Sequence, residues 1–313
     1  MRWTAALFAF SLLFNLPGAA VPARGNGLAP GQHDIDLGDV RLHYVVRGRG
    51  PLLFVTSPGW GIGSGYLQSG IAPLEQKMTL VYIDTRGSGG SGRPADASQM
   101  SQSVMADDID RLREKLGLES IDLLGHSDGA TIAIEYAVRH PEHLHKLVLV
   151  APAVLGDRQG DATEEYLKLW GDDPEYREAV KSAKEGWSPN LTDEEFRDKL
   201  TKIMPLYLSD PPRYAADVAK LTSTLRLSSF AWSAQRDAAK KANRDQTKDV
   251  RTIRVPTLIL NGTVDWICPY PVAQRLHAAI PGSELRLYAN KGHLLWLEAP
   301  SRFFEDVRSF LAQ

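Results

Sequence analysis

A serine set between two glycines in Gly125-His126-Ser127-Asp128-Gly129 is the part of this chain best suited to chemistry. It follows the apolar run Ile121-Asp122-Leu123-Leu124 and precedes a helical stretch from Ala130 to Val138, which gives the order strand, tight turn, helix. The serine at such a turn takes a strained backbone conformation, and the flanking glycines let strand and helix approach. Its hydroxyl is a poor nucleophile until an imidazole takes the proton, and the imidazole needs a carboxylate to orient it. Asp265 sits just past the apolar run Val255 to Gly262, and His293 lies in a short loop, Asn290 to His293, after the strand pattern Glu284 to Ala289. Ser127, Asp265 and His293 are therefore the candidate nucleophile, acid and base.

The order Ser, Asp, His, together with the elbow pentapeptide, resembles the α/β-hydrolase family over nearly all of the chain after its N-terminal segment. Gly125 to Gly129 matches the family's nucleophile elbow, Gly262 to Asp265 its acid loop, and Gly292-His293 the start of its histidine segment. The resemblance implies acyl transfer through a serine, with no cofactor and with a small-molecule or short-peptide substrate. Asp84-Thr85-Arg86-Gly87-Ser88-Gly89-Gly90-Ser91 is similar to the D-x-R-G-x-G-x-S segment common to proline iminopeptidases, epoxide hydrolases and related enzymes. The elbow departs from the iminopeptidase pattern G-G-S-W-G, with Asp128 after the serine and His126 before it. A general ester, lactone or amide hydrolase is the favoured expectation and an iminopeptidase-like aminopeptidase the alternative. Glu164, Glu165, Glu194 and Glu195 are the carboxylates that would serve a substrate amine, the other reading being solvated positions on charged helices. A fold kept as a small-molecule binder or a non-hydrolytic biosynthetic catalyst is the alternative of another class, since a shared fold does not fix function.

The oxyanion hole is where the chain departs from the family's pattern. Such enzymes usually follow the third strand with a His-Gly pair whose neighbouring N–H joins the N–H after the nucleophile. Here Leu52 to Val55 is followed by Thr56-Ser57-Pro58-Gly59-Trp60-Gly61. Pro58 has no N–H to give. The expected donors are Gly59, with Trp60 second, and Asp128 from the elbow itself.

The elements that must position these residues alternate. Strands are expected near Asp34–Leu37, Arg41–Val46, Leu52–Thr56, Leu80–Asp84, Ile121–Leu124, Lys146–Ala151, Thr257–Asn261 and Glu284–Tyr288, the first two as a hairpin. Helices are expected near Tyr66–Gln76, Gln102–Leu116, Ala130–Val138 and Pro271–Ile280. Short apolar runs separated by helices predict an α/β fold with a mostly parallel sheet covered on both faces. From about residue 154 to 254 strands vanish and the pattern turns charged, aromatic and helical, so the core is expected at 24–153 and 255–313 with an inserted helical cap between. Trp170, Trp187, Phe230 and Trp232 are its candidate pocket residues, of which one or two are expected to reach substrate.

Composition fits a folded catalytic chain: 313 residues, 43% hydrophobic, 24% charged, with a formal net charge of −2. No basic run offers phosphate contacts, which argues against nucleic acid as a partner. The eight histidines and single cysteine show no metal-ligand spacing. His126 is expected to pack beside the elbow, Arg86 to order its loop as a salt-bridge partner, and Cys268 to pack near the acid loop. Residues 1–23, with Arg2, the apolar stretch Ala5–Leu16 and a small-residue exit, have the pattern of a signal peptide. Secretion without stable membrane association is the expectation, and an uncleaved membrane anchor the alternative. Asn190-Leu191-Thr192 would then be a usable glycosylation site in a eukaryotic host.

Overall fold

The computed structural model describes residues 26–157, 164, 172–188, 190–223 and 225–313. The signal-like residues 1–23, Trp170 and Glu165 lie outside the described residues. Eight strands occur: β1 (Gly31–Asp36), β2 (Arg41–Gly48), β3 (Leu52–Thr56), β4 (Thr79–Asp84), β5 (Ile121–His126), β6 (Leu144–Val150), β7 (Thr257–Gly262) and β8 (Glu284–Tyr288). They form a sheet in the order β1-β2-β4-β3-β5-β6-β7-β8. β2 runs antiparallel to β1 and β4, and every other neighbouring pair is parallel.

Successive side chains of a strand point to opposite faces, and the apolar runs supply both. Val81 and Ile83 of β4 join one core with Phe54, Leu123, Leu149 and Ile259, which the helices Gln102–Lys115, Asp128–Arg139 and Tyr270–Ala279 cover. Leu80 and Tyr82 join the other core with Val55, Leu124, Val150 and Leu260, together with Leu67, Phe303 and Val307 from the helices Gly65–Gly70 and Pro300–Ala312. A sheet buried on both faces explains why these strands read as continuous apolar runs. The single helix expected over Tyr66–Gln76 is instead two pieces, an α-helix at Gly65–Gly70 and a 3-10 turn at Ala72–Gln76. Pro73 lacks the N–H and carries the ring that would clash in a continuous helix.

The strand order reverses at β3. From there the chain moves to β4 on one side and, through Gln102–Lys115, to β5 on the other. In open sheets of this kind ligands bind at the carboxyl ends of the strands where the order switches. Ser127 follows directly on β5, at that place. Between β6 and β7 the described residues hold the helices Arg177–Lys184, Asp193–Ile203, Pro211–Ser223, Ser229–Ala242 and Gln246–Asp249. Thr192 and Glu195 form a capping box that starts the second of these, and Pro211 opens the third, where its missing N–H is harmless. Among the described residues no helix is long and apolar enough to cross a membrane.

The turn from β5 into the next helix leaves no room for a side chain at Gly125: a Cβ there would lie 2.4 Å from the Gly129 carbonyl oxygen and 2.8 Å from Ala130 Cα. Both are backbone atoms of the helix Asp128–Arg139. Gly125→Ala should therefore lower the unfolding free energy by about 1–3 kcal/mol, the usual cost of overpacking. Urea titration of the two proteins checks this, and equal stability would contradict so close an approach.

Candidate active site

Ser127 sits at φ 58°, ψ −128°, a backbone conformation outside the common regions for an L-residue. Its neighbours hold it there. Its N–H donates to the Val150 carbonyl at 3.0 Å, and its own carbonyl accepts the N–H of Ala130 at 3.0 Å and of Ala153 at 3.1 Å. Strain concentrated at one residue and offset by surrounding bonds is a common property of functional turns.

His293 and Asp265 meet as a fully buried pair. His293 Nδ1 lies 2.8 Å from Asp265 Oδ2, and neither side chain is exposed. The other carboxylate oxygen of Asp265 accepts the N–H groups of Ile267 and Cys268, each at 2.9 Å. With Asp265 accepting, Nδ1 carries the proton, and Nε2 is left with a lone pair. Nε2 is buried and makes no hydrogen bond among the described residues. The His293 N–H donates to the Tyr207 carbonyl at 2.8 Å, so the helical insertion also fixes the loop. Ser127 and His293 line the same cavity, although no hydrogen bond joins the hydroxyl to Nε2.

That cavity, about 320 Å³, is walled mostly by apolar side chains. Trp187 and Trp232 contribute from the insertion, with Phe196, Leu200 and Met204. Phe230 does not: its ring lies under the Arg93 guanidinium, 4.8 Å from the carbon centre. Glu164, Glu194 and Glu195 are exposed and off the wall. Arg86 is also off it, fully buried and bidentate to Asp108 at 2.6 Å for both bonds, with a third bond to Asp39. Asp84 ties the same loop by accepting the N–H groups of Ser64 and Gly90 at 2.6 and 2.7 Å. The D-x-R-G-x-G-x-S segment thus holds a loop in shape.

His126 does more than the packing expected of it. Its Nε2 lies 3.2 Å from the His293 carbonyl and its Nδ1 2.8 Å from the Tyr66 hydroxyl. A carbonyl only accepts, so Nε2 carries the proton and Tyr66 donates to Nδ1. Burial first, then the neighbouring His293, hold its pKa well below the usual range, so the ring stays neutral. Tyr66, His126 and Tyr207 all line the cavity. Only the position of His126 inside the elbow hinted at this network in the sequence. Cys268 is buried on the same wall, and burial, then the Asp265 charge, push its thiol well up, which keeps it protonated and a weak nucleophile. Elsewhere, Asp110, His140 and His143 bring three potential metal-ligand atoms within 4.8 Å, but Asp110 is already used by Arg113 at 2.6 Å and His143 at 2.8 Å.

The loop after β3 makes a two-residue turn in which Ile62 N–H reaches the Gly59 carbonyl at 2.7 Å, with Trp60 and Gly61 at φ 48° and 70°. Trp60 and Pro58 line the cavity. The Trp60 N–H is already given to Gln235 Oε1 at 2.6 Å, which a sequence reading could not show. Gln235, fully buried in the helix Ser229–Ala242, donates through Nε2 to Asp128 Oδ2 at 2.6 Å. One amide therefore ties both sides of the elbow to the insertion. The Asp128 carboxyl is lifted from 3.8 to about 6, because burial outweighs the hydrogen bonds it accepts from Thr131 and Gln235.

A raised carboxyl pKa has a definite sign. Below pH 3.8 both folded and unfolded chains hold the Asp128 proton, and as pH rises through about 6 the folded chain must give it up, so the stability gained from the raised pKa is lost. Asp128→Asn has no proton to lose. Its unfolding free energy relative to the parent should therefore rise between pH 4.5 and pH 7.5 in denaturant titrations; a difference independent of pH would contradict the buried carboxyl.

A family model described as the alpha/beta hydrolase fold matches residues 53–300. Over 265 residues the chain is 27% identical to 2-hydroxymuconate semialdehyde hydrolase of Pseudomonas sp. (strain CF600), covering 84% of this chain and 87% of that protein. It is 25% identical over 283 residues to the proline iminopeptidase PfmaB of Pestalotiopsis fici (strain W106-1 / CGMCC3.15140), covering 88% of this chain and 98% of that one. The structure of the esterase EaEST from Exiguobacterium antarcticum shares the fold, with a TM-score of 0.69 and 21% identity, covering 91% of this chain and all (100%) of the esterase. With the family model spanning most of its length and the sheet, elbow and strand order in place, the chain belongs to the α/β hydrolase family.

Proposed function

We propose that the protein is a serine hydrolase that cleaves an ester, lactone or amide of a small molecule through an acyl-enzyme. The observation that carries this is the buried Asp265–His293 pair, whose free Nε2 shares a cavity with a strained, lifted Ser127. His293 Nε2 takes the Ser127 proton as Oγ attacks the carbonyl carbon, and Asp265 stabilises the resulting imidazolium. Before that, Oγ must come within reach of Nε2, to which no hydrogen bond joins it in the unliganded site, where catalytic hydrogen bonds are often long. The oxyanion is assigned to the N–H groups of Asp128 and Gly59. Gly59 is not among the residues that line the cavity and Trp60 is, but the Trp60 N–H is committed to Gln235, so Gly59 is kept as the second donor. His293 then protonates the leaving alcohol or amine, and the acyl group stays on Ser127. Water gives a proton to the same nitrogen, attacks the acyl carbon and releases the acid, with Ser127 regaining its proton. No step calls for a cofactor.

The esterase-like similarity in fold and the hydrolase relatives support this class of reaction. Of the insertion's glutamates that would serve a substrate amine, Glu164, Glu194 and Glu195 lie off the cavity wall, which weighs against the aminopeptidase alternative and leaves Asp128 as the wall's carboxylate among the described residues. A pure binder has no use for a buried acid–base pair behind a serine.

A panel of p-nitrophenyl esters of several acyl lengths, a lactone, and prolyl- and alanyl-p-nitroanilide tests the proposal. Ester or lactone cleavage is expected, and Ser127→Ala should lower kcat/KM by at least about 1,000-fold while the protein stays folded. Full activity in that variant would refute the mechanism, and preferential release from the prolyl anilide would make the protein an iminopeptidase.

A further inference from the structure

We infer that the acyl pocket takes an uncharged, largely apolar acyl group and rejects one that carries a carboxylate. The inference rests on the serine hydrolase proposal and adds the charge class of its substrate. Two observations carry it. The first is the wall: Trp60, Ile62, Trp187, Phe196, Leu200 and Trp232 form much of it, and among its described residues none is Lys or Arg. Arg236 stacks on Trp232, 4.5 Å from the ring centre, pairs with Asp237 and is not among the lining residues. A carboxylate entering this space would lose its water and gain no countercharge, which is strongly unfavourable.

The second is Asp128, a carboxylate on the wall one residue from the nucleophile. Gln235 Nε2 holds Oδ2 at 2.6 Å and keeps the group in place. Thr131 gives Oδ1 little, because its one hydroxyl proton goes to the Asp128 carbonyl at 2.7 Å while Oδ1 lies at 3.2 Å. Above about pH 6 Asp128 therefore holds a negative charge on the wall one residue from Ser127, in a water-poor site where like charges repel strongly. The relative 2-hydroxymuconate semialdehyde hydrolase acts on a compound whose name denotes a carboxylate, so the two proteins would differ in charge preference despite their similarity. The same repulsion favours departure of the acid product once it forms.

Methyl hexanoate and monomethyl adipate have six-carbon acyl groups and differ in the terminal carboxylate. Their hydrolysis is followed by base uptake at pH 8, and their binding to the Ser127→Ala protein by fluorescence of the cavity tryptophans. The expected kcat/KM for the neutral ester exceeds that for the anionic one by about 100-fold or more, with binding in the same order. In Asp128→Asn the ratio should shrink by at least about tenfold. Equal rates, a preference for the anionic ester, or a ratio unchanged in Asp128→Asn would overturn the inference. If neither ester is cleaved yet binding keeps the predicted order, the charge preference stands and the hydrolase proposal falls. Cleavage without the order sinks the charge preference alone. The binding arm does not depend on how the Asp128 variant folds.

Discussion

Burying a carboxylate with an imidazole, both cut off from water, is the constraint on which this site depends. An isolated buried charge is costly unless it is paired and hydrogen-bonded. Asp265 meets that demand from two sides, with Oδ2 toward His293 Nδ1 and Oδ1 toward two backbone N–H groups. The backbone that supplies those groups is itself tied down. Asn261 Nδ2 donates to the Cys268 carbonyl at 3.0 Å, and the Val264 N–H reaches the Lys291 carbonyl at 3.0 Å, which joins the acid loop to the histidine loop. Gly262 lets the two loops meet: a Cβ there would lie 2.1 Å from the Lys291 carbonyl oxygen. Acid, base and their loops form one rigid unit at the carboxyl ends of β7 and β8.

The insertion is bound to this unit and to the elbow by separate bonds. Tyr207 receives the His293 N–H, and Gln235 bridges the Trp60 N–H and the Asp128 carboxylate. Gly59 suits a residue without a side chain, since its φ is 68° and a Cβ would press to 2.3 Å of Gln235 Oε1. The segment therefore shapes the cavity and also holds the two loops that surround Ser127. Positioning a reactive group through such surrounding bonds is how a site holds its geometry without moving during the reaction.

Much of the sheet and the placement of Ser127, Asp265 and His293 at strand ends was legible in the chain because both rest on local patterns. Apolar runs in β4 and β7 mark strands buried on both faces, and glycines at 125 and 262 mark close backbone approach. What the sequence hid depends on contacts between distant residues. Gln235 meets Asp128 across 107 positions and Trp60 across 175, and Tyr66 meets His126 across 60. No local spacing encodes those pairs. The choice of Trp187 and Trp232 over Phe230 for the cavity wall was equally unreadable, because it depends on which face of the helix Ser229–Ala242 meets the cavity and on where the coil residue Trp187 packs.

The central claim is that the Asp265–His293 pair makes Ser127 nucleophilic. Intact-mass and peptide mass spectrometry after treatment with a fluorophosphonate tests it directly, since the probe reports the nucleophile without requiring the right substrate. One phosphonyl group on Ser127 is expected in the parent protein, with labelling slowed by at least about 100-fold in His293→Ala. A folded protein that fails to label, or that labels equally fast without His293, would contradict the account.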